Sequence, residues 1–310
     1  MPVPNLFVVG TMKAGTTTLY SWLNSHPLIY MPPVKEPNYF SSDLWQISTH
    51  IVLGTESLIE QATRTPMHNA LICEEKLYLK LFPQNAECYR YLGDASPSYL
   101  RSQVAAEKIF NWAPDAKIII LLRDPIERAW SHFIMERNEA RVPEDFAEMM
   151  DDELRAMERC EPTQHGILES GLYYKCLSRY FERFEASNIL IADQSELREH
   201  AIFFEKLNKF LLFEENMFSA PREVANHSVG PRFPWLNRVL AESGVKQLVR
   251  YVFPKTIVNC SKRMYYREAL SSENIDDRVR AELIRFYRDD VCRLVSLLGD
   301  DAPSWATRYV

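Results

Sequence analysis

The sequence predicts an α/β fold with a central parallel sheet flanked by helices, and three observations lead to this prediction. Short apolar runs suited to buried strands recur along the chain, at residues 6–10 (LFVVG), 118–122 (IIILL) and 188–193 (NILIAD). Segments with helical spacing separate these runs, so the connections are crossovers of the kind that parallel strands need. No internal repeat or low-complexity linker divides the sequence. We therefore predict a single domain over residues 1–310.

Each predicted element has its own residue pattern. Leu19, Trp22 and Leu23 share one face of a helix predicted over 16–24. Pro125 suits the first turn of a helix, because its missing N–H would be unpaired there anyway. The other predictions are a strand at 89–93, helices at 101–113, 144–160, 171–185 and 273–298, and long loops at 214–235 and 254–272. Long loops in a compact domain are often functional.

Composition and charge exclude several classes of protein. The 310 residues carry a net charge of −6, which argues against a general nucleic-acid binder. No apolar run approaches the roughly 20 residues that span a bilayer. The N-terminus (MPVPNLFVVG) has no basic region, and the six cysteines form no CxxC pair. We expect no signal peptide, a cytoplasmic location and no metal site, although a chain trimmed of an upstream anchor would look the same.

Residues 10–17 (GTMKAGTT) form a glycine-containing turn between a predicted strand and a predicted helix. Backbone N–H groups at a helix N-terminus favour a bound anion, and Thr16 and Thr17 add hydroxyl donors. A loop for ATP and magnesium would read GxxxxGK[ST], with the lysine directly after the second glycine. Here Lys13 precedes Gly15 by two residues, so that pattern is broken. The alternative is a solvated lysine in an ordinary strand–helix turn.

This loop resembles the 5′-phosphosulfate loop of the sulfotransferases that use 3′-phosphoadenosine 5′-phosphosulfate (PAPS), especially the heparan sulfate branch and its bacterial relatives. Members carry a lysine two residues before the second glycine and then two threonines, and this sequence reads Lys13-Ala14-Gly15-Thr16-Thr17. The resemblance extends to GDASPSYL at 93–100, to 171–197 and to the C-terminal segment. It implies a P-loop type three-layer fold, PAPS as donor, adenosine 3′,5′-bisphosphate as product, and Lys13 at the bridging oxygen of the donor.

The segment LLRDPIERAWSHF at 121–133 places Arg123 at a strand end and Ser131 about two turns into the next helix. An arginine fork and a hydroxyl suit a terminal phosphate, although an arginine at a sheet edge and a serine on a helix face would look the same. The segment is similar to the family's 3′-phosphate motif, which implies that both residues bind the phosphate that distinguishes PAPS from ATP. Arg128 is expected to make a structural ion pair, and His132 to pack or to line the adenine side.

Glu36 lies in the segment MPPVKEPNYF at 31–40 and is the candidate general base. Sulfuryl transfer requires a base for the proton of the acceptor. The residues alone favour an exposed loop glutamate that pairs with Lys35. The resemblance implies the catalytic role, because the heparan-type branch has its proposed base in an E-x-x-[FY]-F setting, which Glu36-Pro37-Asn38-Tyr39-Phe40 matches.

The segment beginning at Asp94 departs from the family pattern. Heparan-type enzymes have a lysine after this acidic residue, whereas this chain has Ala95. We therefore expect a second active-site lysine to be absent, which puts a heparan substrate in doubt. Asp94 itself would either assist at the acceptor or cap Ser96.

Later candidates carry weaker signals. In relatives a basic loop closes over the 3′-phosphate and adenine, which suggests Lys262 and Arg263, with Arg232, for that role; solvated charges are the alternative. Tyr173 and Tyr174 would line the acceptor cleft or belong to the core. The sequence thus predicts a sulfotransferase that acts on a hydroxyl, or less favourably an amine, of a carbohydrate or a small hydroxylated compound. An ATP-dependent kinase and a module that binds 3′-phosphoadenosine phosphate without turnover are the alternatives.

Overall fold

The computed structural model describes residues 3–45, 51–65, 67–139, 141–163, 165–215, 217–219, 229–231, 266–268 and 275–310. The chain divides into two compact units. The first unit comprises Met1–Asp124, Leu172–Glu223 and Arg288–Val310, and the second comprises Pro125–Gly171 and Val224–Tyr287. The single domain that we predict over 1–310 stays a prediction.

Short strands and longer helices alternate along the chain. The strands are β1 (Leu6–Val8), β2 (Ile29–Tyr30), β3 (Val34–Lys35), β4 (Ile51–Val52), β5 (Met67–His68), β6 (Ala70–Leu71), β7 (Tyr91–Ala95), β8 (Lys117–Leu122), β9 (Ile189–Asp193), β10 (Val229–Pro231) and β11 (Tyr266–Glu268). The α-helices are α1 (Thr16–Ser25), α2 (Glu56–Arg64), α3 (Glu75–Leu79), α4 (Ser98–Arg101), α5 (Ala105–Trp112), α6 (Pro125–Asn138), α7 (Phe146–Glu158), α8 (Tyr174–Phe181), α9 (His200–Leu211) and α10 (Asp277–Leu298).

A parallel sheet forms the centre of the first unit. Among the described residues it has five strands in the order β2-β7-β1-β8-β9, and every neighbouring pair runs parallel. In β8 every residue after Lys117 is buried, as expected for a strand covered on both faces. The predicted α/β fold, a central parallel sheet flanked by helices, is confirmed.

The two faces of β1 show how the sheet is covered. Leu6 and Val8 point into an apolar cluster with the buried faces of α1 and α9, including Trp22 and Phe203. Phe7, between them, points to the opposite face, because successive side chains in a strand alternate. There its ring packs edge-on against Phe40, with centroids 5.6 Å apart. The helical face predicted for Leu19, Trp22 and Leu23 is thus buried against the sheet.

The predicted helix over 101–113 is wrong as a continuous element. The helix breaks at Ser102, whose hydroxyl accepts hydrogen bonds from the N–H groups of Val104 (3.2 Å) and Ala105 (3.0 Å). A serine that bonds to the backbone ahead of it favours a helix start over a helix interior. The residue patterns also did not predict the helices α2, α3, α4 and α9 or the short strands β3 to β6. The strands β10 and β11 lie within segments predicted as loops.

The C-terminal segment is tied to the carboxyl ends of two central strands. Asp124, directly after Arg123, accepts hydrogen bonds from Arg308 (3.1 Å) and from the hydroxyl of Tyr309 (3.0 Å). The indole N–H of Trp305 donates to Asp193 at the end of β9, at 2.6 Å. These polar contacts hold the segment of Trp305 and Tyr309 against the ends of β8 and β9.

The second unit contains α6 and α7 and a buried polar cluster. Arg128 is fully buried, and its Nη2 atom donates to the carbonyl of Ile167. Its Nη1 atom lies 3.4 Å from Nδ1 of His132. Glu153 of α7 accepts the backbone N–H groups of Ile167 and Leu168. Arg128 is therefore structural, but these contacts are with a carbonyl and an imidazole, not with the carboxylate that we expected.

Gly10 allows the chain after β1 to lie directly on β8. A Cβ atom at this position would lie 2.6 Å from Cβ of Leu121 and 2.8 Å from its carbonyl oxygen. We expect Gly10→Ala to lower the free energy of unfolding by about 1–3 kcal/mol, because overpacking forces the strands apart. Urea unfolding measures this value. Gly54→Ala is the control, because its Cβ would meet nothing closer than 3.9 Å, and an equal loss there would contradict the prediction.

Candidate active site

The loop after β1 has the backbone geometry of an anion cradle. Lys13 and Gly15 have positive φ angles of 70° and 95°. Gly15 is the N-cap of α1 and offers no side chain to its first turn. Its carbonyl accepts the N–H of Thr18 at 3.0 Å, whereas the N–H groups of Thr16 and Thr17 come before the first hydrogen bond of the helix. The N–H of Thr11 donates to the carbonyl of Leu121 at 2.8 Å, which fixes the start of the loop on β8. An anion placed against this first turn would receive the unpaired N–H groups.

Arg123 contacts this loop from the end of the neighbouring strand β8. Its guanidinium donates to the backbone carbonyl of Lys13 at 3.0 Å. The carbonyl of Arg123 accepts the hydroxyl of Tyr173 at 2.8 Å. Tyr173 is 1% exposed, and its N–H donates to Asp290 at 2.7 Å. The geometry therefore favours the core position for Tyr173 over the acceptor cleft, and it brings Arg123 to the predicted phosphate loop.

Glu36 directly follows β3, in an irregular segment that we call the Glu36 turn and that is hydrogen-bonded to residues 67–71. Its φ angle is 63°, in the left-handed region that non-glycine residues rarely adopt. The turn is held by hydrogen bonds from the N–H of Asn69 to the carbonyl of Lys35 and from the N–H of Ala70 to the carbonyl of Glu36. Strained backbone that the surroundings hold in place is concentrated at functional sites.

Asn38 connects this turn to the end of β7. Its side-chain amide donates to the carbonyls of Glu36 (2.8 Å) and Ala70 (2.9 Å) and accepts the hydroxyl of Ser98 (2.6 Å). Its backbone N–H donates to the hydroxyl of Ser96 at 3.3 Å. The segment that we matched as GDASPSYL therefore supports the turn that carries Glu36. Asn38 received no role from the sequence, although a polar residue between Pro37 and the aromatic pair Tyr39-Phe40 was a signal.

Asp94 is the centre of this buried network. It is fully buried and accepts hydrogen bonds from the hydroxyls of Tyr78 (2.8 Å), Tyr99 (2.7 Å) and Ser96 (2.8 Å). Burial, and to a smaller extent the charge of Glu36, raises the pKa of Asp94 to about 6, although the three hydrogen bonds act in the opposite direction. Of the two interpretations left open for Asp94, the geometry favours the contact with Ser96 over a contact with an acceptor.

The carboxylate of Glu36 has two cationic or titratable neighbours. Oε1 contacts Nζ of Lys35, and it lies 3.9 Å from Nδ1 of His68, the residue opposite Lys35 in the β3–β5 pair. The side chain of Glu36 is 19% exposed and that of Lys35 is 3% exposed. The pairing with Lys35 is as the sequence suggested, but an exposed loop glutamate is wrong, because the pair is largely removed from water.

The Lys13 loop and the residues that support the Glu36 turn follow adjacent strands of the central sheet, whereas Glu36 itself follows β3, which pairs with β5. β1 lies between β7 and β8, with Val8 paired to Ala95 and to Ile119. The loop of Lys13 therefore follows the central strand, Arg123 follows one neighbour, and the Ser96 support of the Glu36 turn follows the other. Ligands of open parallel sheets bind at this carboxyl edge. The arrangement offers a cradle for an anion and a carboxylate for a proton.

The roles of the other candidate residues stay predictions. Ser131 lies in α6 of the second unit and is half-buried. Lys262, Arg263 and Arg232 lie outside the described residues. Where the structure describes the chain, His, Cys, Asp and Glu form no group that could hold a metal ion, and no helix has the length and hydropathy of a membrane span.

Comparison with known proteins assigns the chain to a family. Residues 4–170, more than half of the chain, match the family described as "Sulfotransferase family". The chain belongs to the sulfotransferase family. This match includes the Lys13 loop, the Glu36 turn, Asp94, Arg123 and α6.

Individual members of the sulfotransferase family are distant from this one. The chain is similar to carbohydrate sulfotransferase 15 of Rattus norvegicus, with 24% identity over 295 residues that cover 77% of this chain and 51% of that protein. It is also similar to the bifunctional heparan sulfate N-deacetylase/N-sulfotransferase 3 of Homo sapiens, with 24% identity over 98% of this chain and 31% of that protein. The chain therefore spans about half, or less, of these curated relatives.

A solved structure supports the sulfotransferase fold over the whole chain. The sulfotransferase from Alicyclobacillus acidocaldarius superposes with a TM-score of 0.64 over 96% of both chains, at 24% sequence identity. The recognition of the family from the Lys13 loop and the Arg123 segment is confirmed. The roles of the individual site residues stay predictions.

The raised pKa of Asp94 predicts a pH-dependent stability. Between the ordinary pKa of 3.8 and about 6, the native state binds a proton that the unfolded state has released. Wild-type stability should therefore fall as the pH rises through this window, by about 3 kcal/mol in total. Asp94→Asn removes this dependence, and it leaves hydroxyl donors unpaired at a cost of about 1–3 kcal/mol. Urea unfolding of both proteins from pH 4 to 7 measures the free energies of unfolding. A difference between the two proteins that stays constant over this pH range would contradict the prediction.

The pKa of His68 reports on the charges around Glu36. Partial burial and then the ammonium of Lys35 lower the pKa of His68 below 6.5, whereas the carboxylate of Glu36 raises it. Glu36→Gln should lower this pKa further, and Lys35→Met should raise it. Imidazole NMR signals followed against pH measure both shifts, with His68→Gln to identify the resonance. Shifts of the same sign in the two variants would contradict the arrangement.

Proposed function

We propose that this protein transfers the sulfuryl group from PAPS to an acceptor hydroxyl, or alternatively to an amine. In this reaction a bond forms between the acceptor oxygen and sulfur, and the bond from sulfur to the bridging phosphate oxygen breaks. Adenosine 3′,5′-bisphosphate leaves, and the acceptor proton passes to a base of the protein. PAPS supplies an activated anhydride, so positioning and charge stabilisation are the main tasks of the protein.

The observation that carries the proposal is the loop at the carboxyl end of β1. Its left-handed Lys13 and Gly15 place a lysine before a helix start that has no side-chain cap. Thr16 and Thr17 begin this helix, so their N–H and hydroxyl groups suit the 5′-phosphate, together with the backbone of Ala14. The ammonium of Lys13 would neutralise the charge that develops on the bridging oxygen. An ATP-type lysine after Gly15 is absent from the sequence.

Glu36 is the proposed general base. Its turn is fixed through Asn38 to the end of β7, the strand next to β1. The carboxylate is thus carried at the same edge of the sheet as the Lys13 loop. The 19% exposed side chain remains accessible to an acceptor while most of it is held within the protein. A positioned carboxylate can accept the proton as the hydroxyl attacks sulfur.

The remaining nucleotide contacts are proposed from the sequence. Arg123 and Ser131 are assigned to the 3′-phosphate by their match to the family motif, and the contact of Arg123 with the carbonyl of Lys13 supports only its place near the nucleotide loop. Lys262 and Arg263 are assigned to a segment that closes over the nucleotide. We propose no metal requirement, because the loop lacks the serine or threonine that follows the lysine in magnesium-dependent loops.

The acceptor class is proposed from the relatives. Two of them carry carbohydrate or heparan sulfate in their names, which supports a carbohydrate or small hydroxylated acceptor for this chain. The substitution of a family lysine by Ala95 leaves a heparan chain the less favoured choice. Tyr173 and Asp94, both buried, are not favoured as acceptor contacts.

A cytoplasmic location stays a prediction.

Nucleotide binding tests the donor assignment. Adenosine 3′,5′-bisphosphate should raise the melting temperature clearly more than ADP with magnesium at equal concentration, because only the former has a 3′-phosphate. Lys13→Ala should weaken its binding by about 10- to 100-fold, the value of a lost charge-assisted hydrogen bond. Lys76→Ala is the control, because Lys76 pairs with Glu56 and is 73% exposed. Equal stabilisation by the two nucleotides would overturn the assignment.

Transfer of labelled sulfate tests the reaction and the base. We would supply radiolabelled PAPS with heparosan and chondroitin oligosaccharides, their de-N-acetylated forms and 4-nitrophenol. Glu36→Gln should lower kcat on the best acceptor by about 100- to 10,000-fold, as expected when a general base is lost, without weakening nucleotide binding. Glu56→Gln, an exposed glutamate with two lysine partners, is the control. Nucleotide binding without transfer to any acceptor would favour a non-catalytic binding module.

A further inference from the structure

Lys35 has an unusual environment for a lysine. Its side chain is 3% exposed, although lysine is almost never fully buried unless it is paired. Within the described part of the chain, its ammonium contacts Oε1 of Glu36. A buried ammonium that lost this partner would strongly destabilise the fold. Keeping the cation here thus has a stability cost that an apolar side chain would avoid.

The backbone is arranged to make this contact possible. Side chains of consecutive strand residues point to opposite faces, so Lys35 and Glu36 would normally diverge. The left-handed φ of 63° at Glu36 ends the strand pattern directly after Lys35. The hydrogen bonds from Asn69 and Ala70 to the carbonyls of Lys35 and Glu36 hold both residues in this conformation. The backbone conformation of the Glu36 turn therefore holds Lys35 and Glu36 in contact.

The contacts of the Glu36 carboxylate are asymmetric. Lys35 and His68 both approach Oε1 among the described residues. A glutamate has three side-chain torsions, and a base is effective only when its free oxygen is aimed at the proton that it removes. An ammonium fixed on a strand and bound to one oxygen restricts these torsions and leaves the other oxygen for the acceptor.

We propose that Lys35 is a positioning residue for sulfuryl transfer, which holds Oε1 of Glu36 so that Oε2 takes the proton of the acceptor. This inference rests on the proposed function and adds a residue to it. Lys35 acts through Glu36 and does not contact the nucleotide. Loss of the ammonium therefore slows the chemical step and leaves nucleotide binding and folding intact.

Lys35→Met tests the effect on the reaction. Methionine has a similar length and is apolar, so it fills the space of the lysine stem, and the carboxylate of Glu36, which is 19% exposed, keeps access to water. We expect kcat with radiolabelled PAPS and the best acceptor of the panel to fall by about 10- to 100-fold, the effect of a misplaced catalytic group. The Kd of adenosine 3′,5′-bisphosphate and the melting temperature should stay close to wild type. Lys76→Met is the matched control.

A double-mutant cycle tests whether Lys35 acts through Glu36. In the Glu36→Gln background, Lys35→Met should change kcat by less than about twofold, because residues that act as a unit are not additive. A full further loss in that background would show that Lys35 contacts the reacting groups itself, and it would overturn the proposal. Lys35→Gln is a second variant in case the methionine variant is unstable; loss of nucleotide binding or of folding in both would make Lys35 merely structural.

The outcomes separate this inference from the proposed function. Full activity of Glu36→Gln would refute Glu36 as the base, whatever Lys35→Met does. A slow Glu36→Gln together with a fully active Lys35→Met would refute the positioning role alone. If no acceptor of the panel is sulfated, transfer of the label to water is measured in the same cycle. Absence of both transfers in the wild-type protein would refute the proposed function.

Discussion

Asp94 carries a carboxylate into the fully buried end of β7, where three hydroxyl groups bind it. A buried charge without partners would be too costly, so Tyr78, Tyr99 and Ser96 must stay in place around it. Ser96 in turn accepts the N–H of Asn38, whose amide holds the carbonyl of Glu36. The position of the proposed base thus depends on the satisfaction of one buried carboxylate. A polar network of this kind specifies one arrangement because each member needs all the others.

The two segments proposed for function use the same backbone device directly after a strand, the Lys13 loop after β1 and the Glu36 turn after β3. Lys13 precedes a left-handed glycine, and Glu36 precedes a left-handed Asn38 by two residues. Left-handed non-glycine residues cost free energy, which the surrounding hydrogen bonds must offset. At Lys13 the carbonyl accepts Arg123, and at Glu36 the carbonyl accepts Asn38 and Ala70. Side chains proposed for chemistry are thus fixed through their own backbone carbonyls.

The family relation and the geometry explain different parts of the molecule. The match over residues 4–170 contains the donor loop and the Glu36 turn, and the C-terminal segment is bound to the strand ends by Asp124 and Asp193. Two of the relatives are 24% identical to this chain over the aligned residues, so most aligned positions differ. The buried Lys35 places a cation beside Glu36, the proposed base, although Ala95 follows Asp94. The donor side is therefore better defined by the family than the acceptor side.

The residue pattern alone was sufficient to predict the parallel sheet with its crossovers and the sulfotransferase family. Apolar runs such as 118–122 and the spacing of Lys13 and Gly15 are local patterns, which can be recognised without knowledge of the fold. Tertiary structure decided the break at Ser102, the burial of Lys35 and the roles of Asn38 and Asp94. Each of these depends on partners far along the chain, such as Ser96 and Asn38, which are 58 residues apart. A residue's burial and its hydrogen-bond partners are set by packing, and no single sequence segment contains them.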